Sequence, residues 1–338
     1  MVRPPSGATI ASPAPSGRRL SGNRTGRRRK AGAIVAMFAA VIMAGCASGG
    51  KQTQTVATLT PTSSTLSPMP SPSPSPSRTP TLATCAAPVT RTALHVVHHF
   101  SVSPDDIAVD GSGRLWVTAR SANQLFMLDP ASDATTVTSV TGGPEGVAAT
   151  PSGIYVAQQN LNAIVEVIPQ RRTVATFPNR TSNAGIDGIA VGATSEMLLV
   201  PDSPHGTLIA VSLNGAPNAR VIATHLGRPV SATVGNSGDT FVASESSPGL
   251  VEIAPDGSVR SIGAFTDLDE VVYHGGLLYV TELNRHDMVA VDPTSGASAV
   301  LAFDLPAPQG LAVTAQGTLE VVDATTNTLY SLPACGIG

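Results

Sequence analysis

The chain has 338 residues, 42% of them apolar, 4% aromatic and 13% charged, with 32 glycines, 28 prolines and 3 cysteines. Its formal charge of −3 conceals an asymmetry: residues 1–45 hold eight of the 20 Lys and Arg and no acid, leaving 12 basic against 23 acidic residues from Cys46 onward, a balance of −11. So acidic a body has few cations with which to neutralise phosphates, which excludes nucleic acid as a partner. A charged fraction near half the usual quarter, with so much Gly and Pro, favours short strands and tight turns.

Residues 1–45 read as an address. A basic cluster at 24–30 precedes the apolar run 31–44, which is shorter than the ~20 residues a membrane span needs. A charged start, a short apolar stretch and small residues at the cut describe a secretory signal peptide. Met43-Ala44-Gly45-Cys46 resembles the bacterial lipobox, with Met43 in place of the usual Leu. That resemblance implies that Cys46 becomes the lipidated first residue, a diacylglyceryl thioether carrying palmitate-like chains, and two acyl chains suffice for stable anchoring. An uncleaved N-terminal anchor is the other reading of the same residues. Both place the rest of the chain on the extracytoplasmic face of the cell membrane. Arg28-Arg29 is too degenerate a signal to assign the export route.

Residues 46–84 form a tether. Ser, Thr and Pro fill 24 of the 38 positions from 47 to 84, leaving too few apolar groups to offset ordering entropy, so the segment is expected to be disordered. Its prolines bias it towards polyproline II, with a reach of roughly 100 Å at ~3.1 Å per residue.

From residue 85 to 338 the sequence predicts one all-β domain. A pattern of turn, short strand, glycine turn, apolar strand, polar turn and strand recurs, with openings at Asp105, Glu145, Asp187, Val230, Asp269 and Gln309, spaced by 40, 42, 43, 39 and 40 residues. Four short strands per repeat of ~40 residues, arranged radially, make a six-bladed β-propeller. The sixth repeat stops early, since only six residues follow Leu332, and residues 93–100 have no other place in the pattern. That N-terminal strand is therefore expected to complete the last blade, closing the ring and removing its exposed edges. With Cys46 lipidated, Cys85 and Cys335 remain, one at each end of the ring, and in an oxidising compartment they are expected to pair.

Equivalent positions in propeller blades converge on the central channel. The six openings carry four carboxylates, Asp105, Glu145, Asp187 and Asp269; the turns after the second strands add Asp202, Glu282 and Asp323 beside Ala119, Gln158 and Ser244. Carboxylates facing one narrow channel must be solvated, raise their pKa values or share a cation. Ca²⁺ or another divalent cation suits such a ligand set. The other reading is that these acids accept backbone N–H bonds from a neighbouring blade and do no chemistry. Trp116, Tyr155, Phe241 and Tyr279 recur at one place in the repeat and are expected to pack between blades. His98 and His99 lie on the closing strand, where a structural role is expected, and His205 on a rim loop is a candidate proton shuttle.

The repeats Pro144-Glu145-Gly146-Val147-Ala148, Asp187-Gly188-Ile189-Ala190-Val191 and Gly113-Arg114-Leu115-Trp116-Val117-Thr118 resemble those of NHL-type propellers. They are similar also to the six-bladed regucalcin/gluconolactonase group, which includes lactonases and phosphotriesterases. The resemblance covers about residues 93–335. In enzymes of that group one Glu, one or two Asn and one Asp on the inner strands hold a divalent metal at the channel mouth. By motif, Glu145 and Asp187 match the Glu and the Asp, with Asp105 and Asp269 as further candidates, whereas no inner-strand opening carries Asn.

No Gly-x-Ser-x-Gly elbow, phosphate loop, His-Glu-x-x-His or Cys-x-x-Cys is present, and Asp110-Gly111-Ser112-Gly113 reads as a hairpin turn, not a calcium loop. Streptogramin lyases are related propellers with histidines near the channel of a seven-bladed ring, and neither feature is read here. Two functions follow: a monomeric, membrane-anchored scaffold or binding module for an envelope protein or small molecule, or a metal-dependent lactonase/esterase. In the second, Asp202, Glu282 or Asp323 would activate water and the metal would polarise the carbonyl.

Overall fold

The computed structural model describes residues 82–178, 185–214 and 218–336. The signal peptide, Cys46 and the tether up to residue 81 lie outside the described residues. No helix among the described residues is long and apolar enough to cross a membrane.

The domain is a six-bladed β-propeller of antiparallel blades. In blade one, Ile107–Val109 lies at the axis, followed outward by Leu115–Ala119, Gln124–Asp129 and Ala134–Ser139. The second strands are apolar nearly throughout because neighbouring blades cover both of their faces: Leu115–Ala119 and Leu277–Glu282 are buried at every residue, whereas the outer strand Ala134–Ser139 is almost wholly exposed. Hairpin turns set the register. The Asp110 carboxylate accepts bonds from Ser112 N at 2.8 Å and from Trp116 Nε1 at 2.9 Å, locking the first turn.

The four recurrent aromatic residues pack between blades, as expected from their spacing. Trp116 meets Val147 and Ile154 of blade two, Tyr155 meets Ile189 and Leu198 of blade three, and Tyr279 meets Leu311 and Leu319 of blade six. Phe241 stacks on Tyr273 of blade five, with ring centroids 5.9 Å apart. Blades three and six depart from the rule: Leu199 takes the aromatic position in one and Glu320 in the other, where Glu320 is 6% exposed and its Oε2 has no hydrogen-bond partner among the described residues. Burial alone raises its pKa to about 7.

At the axis the blades approach too closely for side chains in three repeats. A Cβ on Gly146 would lie 2.5 Å from Ile189 N, one on Gly188 2.5 Å from Val230 O, and one on Gly310 2.5 Å from Asp106 Cα. Glycine permits that approach, and backbone bonds such as Gly188 N to Val230 O at 2.8 Å and Gly310 N to Asp105 O at 2.9 Å stitch adjacent blades together.

The ring closes as the repeat count requires. Strand His95–His99 pairs antiparallel with Thr328–Pro333, His95 opposite Ser331 and His99 opposite Thr328, and becomes the outer strand of blade six. Cys85 and Cys335 form a disulfide with Cα atoms 4.3 Å apart, 250 residues apart in sequence. Two details have no counterpart in the repeat pattern. Val89–Thr90 adds a fifth, parallel strand to blade five, against Ala302 and Phe303. Leu82–Thr84 forms a 3₁₀ turn, and Leu82 packs against the core between blades five and six, although both lie within the stretch that the sequence assigns to the tether.

Closure and the misfit in blade six each have a measurable consequence. Cutting the latch with a Cys85→Ser/Cys335→Ser double variant should lower unfolding free energy by up to about 5 kcal/mol, the chain-entropy figure for so long a loop; denaturant titration reads it, and an unchanged midpoint would mean that strand pairing alone holds the ring. For Glu320 the sign is set by its raised pKa: stability is lost as pH rises from the unfolded value through about 7. Glu320→Leu should therefore stabilise the domain by roughly 3 kcal/mol at pH 8, since each tenfold change in proton affinity is worth ~1.4 kcal/mol, and by much less at pH 4.

Candidate functional site

The inner-strand openings lead into the channel from one end. There a cavity of about 510 Å³ is lined by Asp105, Glu145, Asp187, Asp269 and Gln309, together with Arg120, Arg228, Glu245, Asn123 and Asn160. Deeper, the channel narrows to about 20 Å³ between Asp105, Asp106, Glu145, Asp187, Asp269 and Glu270. The structure thus brings all four inner-strand carboxylates together and adds two that spacing alone did not single out, Asp106 and Glu270. These two occupy positions where blades two, three and six carry Gly146, Gly188 and Gly310.

Burial dominates the electrostatics. It pushes Asp105 up to about 8, with the charges of Asp187 and Asp106 adding to it and Arg120 opposing. Glu145 is driven up to about 10 by burial and by Asp105 and Asp187, against the pull of Arg120. Asp187, joined to Glu145 by a hydrogen bond, is also raised by burial, with Arg228 opposing. Asp269 is raised well above the usual range by burial and then by Asp105 and Asp187. At the lower level Asp106 accepts Val147 N of the next blade at 2.7 Å and Ile107 N at 2.6 Å, and rises to about 7 because burial outweighs those bonds. Glu270 shares a hydrogen bond with Asp106, accepts Val271 N at 3.0 Å and meets the Ser231 hydroxyl; burial, then the charge on Asp106, raises it well above the usual range. The backbone-accepting role foreseen for the opening acids falls to Asp106, one residue along from Asp105.

Two arginines compensate the mouth. Arg120 Nε lies 2.8 Å from Glu145 Oε2. Arg228 Nη2 lies 3.2 Å from Asp187 Oδ2 while its Nη1 pairs with Glu245. Sequence reasoning passed over these three residues. Arg120 and Glu245 each follow directly on a second strand, and Arg228 immediately precedes the inner strand Pro229–Val234. The signal was available as a one-residue step, since consecutive side chains on extended backbone face opposite ways.

That step also explains the rim candidates. Asp202, Glu282 and Asp323 do not line the mouth cavity, whereas Leu283 and Ala324, each one residue later, do. Asp202 is buried and lies 2.9 Å from His205 Nδ1. Asp323 is fully buried and accepts Thr325 N at 3.1 Å and Thr326 N at 2.8 Å, shaping the turn that follows it. Glu282 sits beside Arg285 and Asp287, and burial followed by the Asp287 charge raises it to about 7. No histidine among the described residues lines the mouth or the constriction. His98 sits edge-on to Phe100 with centroids 4.8 Å apart, and His99 Nδ1 lies 3.0 Å from Thr328 Oγ1, both structural positions on the closing strand.

A divalent metal of the kind the regucalcin resemblance implies does not fit this arrangement. Among the described residues no group of three or more His, Cys, Asp or Glu side chains is placed to hold a metal ion. Guanidinium groups already contact Glu145 and Asp187, the two acids that the resemblance assigns to the metal.

No protein-family model and no curated protein sequence matches the chain. Solved structures match its fold. A gluconolactonase from Xanthomonas campestris has a TM-score of 0.60 at 14% identity over 70% of this chain and 88% of its own. A calcium-binding regucalcin from Agrobacterium tumefaciens has 0.60 at 13%, over 75% and 100%. Virginiamycin B lyase from Staphylococcus aureus has 0.53 at 14%, over 72% and 88%. At these identities the likeness shows the propeller fold alone.

The raised carboxyls fix how stability depends on pH. In the folded state they hold protons that the unfolded chain releases near pH 4, so unfolding free energy falls as pH rises through about 7, 8 and 10, the values at Asp106, Asp105 and Glu145. The melting temperature should be higher at pH 5 than at pH 9. Asp105→Asn combined with Glu145→Gln should flatten that slope, and a slope unchanged by the pair would place the titration elsewhere.

Proposed function

We propose that the chain is a binding propeller, lipid-anchored through Cys46 on the extracytoplasmic face of the cell membrane, that takes a small polyhydroxylated molecule at the channel mouth. The observation that carries this reading is the lining of the 510 Å³ cavity, which mixes carboxyl, amide and guanidinium groups and offers little apolar wall beyond Leu283 and Ala324. Buried carboxyls held protonated near neutral pH donate hydrogen bonds, as do Arg120, Arg228, Asn123, Asn160 and Gln309; Glu245 and any ionised neighbour accept them. Donors and acceptors spaced around one cavity match the hydroxyls of a polyol, and the volume falls within the ~300–1,000 Å³ of ordinary ligand sites. Signal peptide, lipobox and tether support the anchored location. The acidic body speaks against nucleic acid, and a monomer suffices for a site built within one ring.

Hydrolysis of a lactone or ester is the second reading, and its support is the fold likeness to the gluconolactonase.

One set of titrations separates the two. Full-length protein in detergent should show a saturable thermal shift with a panel of sugars and alditols. The shift should survive EDTA and fall at least tenfold in affinity in Arg228→Ala or Asp269→Ala. No shift with any polyol, together with a Ca²⁺-dependent shift that vanishes in Glu145→Gln and Asp187→Asn, would replace this reading with the hydrolase. For the anchor, Cys46→Ala should move the protein out of the membrane fraction; a variant that stays membrane-bound would point to the uncleaved segment.

A further inference from the structure

Residues paired across neighbouring strands lie side by side and project to the same face, so each blade presents rows of side chains to the next. Blade two carries the row Tyr155–Glu166–Arg172 across its second, third and outer strands, and blade four carries Phe241–Glu252–Arg260. In each the guanidinium pairs with the carboxylate beside it. Blade three keeps the arginine and lacks the other two groups: its row is Leu199–Ala210–Arg220.

The row thus lacks an aromatic ring and a carboxylate, and the space stays open. A cavity of about 240 Å³ lies between blades three and four, lined by Leu199, Ala210, Arg220 and Ile222 on one side and by Ile253 and Pro255 on the other. It shares no lining residue with the mouth. Arg220 is the one titratable group among the described residues of its lining, and it takes part in no ion pair among the described residues. The acids nearest to the lining in sequence are engaged elsewhere. Glu196 accepts from the Asn214 amide, Asp239 from the Ser237 hydroxyl, and Asp256 from Ser258 N at 2.9 Å. The rest of the chain, outside the described residues, contains no Asp or Glu. A guanidinium does not shed its proton, so Arg220 stands as a cation at an apolar recess with no acidic side chain to neutralise it.

We propose that this recess binds a small arylalkyl monocarboxylate, its ring against Leu199, Ile222 and Ile253 and its carboxylate accepting two parallel N–H bonds from Arg220. The ligand restores to blade three the two groups that blades two and four hold as side chains. Bidentate guanidinium–carboxylate bonds are charge-assisted and fix orientation as well as charge, while the ring removes apolar wall from water. A volume below the ~300–1,000 Å³ of drug-sized ligand sites limits the occupant to one ring on a short arm. The proposal is independent of the polyol reading, because it uses a gap between two blades and none of the residues at the mouth.

The test is isothermal titration and thermal shift of the full-length protein with 3-phenylpropionate, 3-phenylpropanol, 3-phenylpropylammonium and hexanoate. 3-Phenylpropionate is expected to give a saturable shift, and each of the others to bind at least tenfold more weakly. Arg220→Gln should weaken 3-phenylpropionate at least tenfold. So should Ala210→Glu, which returns the missing carboxylate to the row, with the ring-restoring Leu199→Phe in its place if that variant fails to fold. Arg172→Gln, which alters the matching row of blade two, should leave binding unchanged. The absence of any 3-phenylpropionate shift would overturn the proposal, as would affinity unaltered in both recess variants. Equal binding of 3-phenylpropanol would reduce the recess to an unspecific apolar hollow, and equal binding of hexanoate would remove the requirement for a ring; either result overturns the assignment. An equal loss in Arg172→Gln would do the same, by placing the effect on surface charge in general.

Discussion

Closure of the ring is the constraint on which the rest depends. Until His95–His99 takes the outer place in blade six, the strand Thr328–Pro333 is an unpaired edge, and edges of that kind recruit other chains. The same stretch carries Phe100 and Val102 into the core between blades six and one. Arg91 adds bonds to Asp304 O and to the Tyr330 hydroxyl, both at 3.2 Å, and the disulfide fastens the segment to the last strand. Six inner strands can face one axis only once this happens, so the channel and its charges are products of closure and not of any single blade.

What closure then imposes is an electrostatic problem. Each inner strand opens at the axis, and four of the six opening residues are acids. Held in a low-dielectric ring as free anions, they would repel one another by more than the fold could bear, given total stabilities of about 5–15 kcal/mol. The chain meets this in two ways, at different depths. Near the mouth, where side chains still touch water, guanidinium groups face Glu145 and Asp187. In the constriction, which no basic side chain among the described residues lines, protons are retained and Asp106 and Glu270 bond to each other. The division explains why the raised pKa values accompany ion pairs only at the solvent end.

The architecture was readable from sequence because it is periodic. Repeat spacing counts the blades, the truncated sixth repeat requires a strand from elsewhere, and the two remaining cysteines mark where the ends meet. The recurrent aromatic position was readable for the same reason, but the burial of Glu320 in that position was not. The site was readable only in part. Asp105, Glu145, Asp187 and Asp269 were found because they repeat, whereas Arg120 and Arg228 belong to no repeat. Asp202, Glu282 and Asp323 were placed on the channel by counting strand positions, and a single-residue step on extended backbone turns a side chain from the channel into a turn or a neighbouring strand. Val89–Thr90 was out of reach altogether, since a parallel pairing across blades leaves no local trace.

The charge arrangement also narrows the chemistry of the two ends. A guanidinium stays protonated and only donates hydrogen bonds, so Arg120 and Arg228 can orient and neutralise a ligand at the mouth but cannot take a proton from water. The carboxyls around them are held protonated into the neutral range, which makes them donors as well. A mouth so rich in donors selects ligands that present many acceptors. The far end of the channel differs, with aliphatic inner-strand residues around Asp106 and Glu270. Between them the constriction of about 20 Å³ has space for about one water molecule, so no ligand passes from one end to the other.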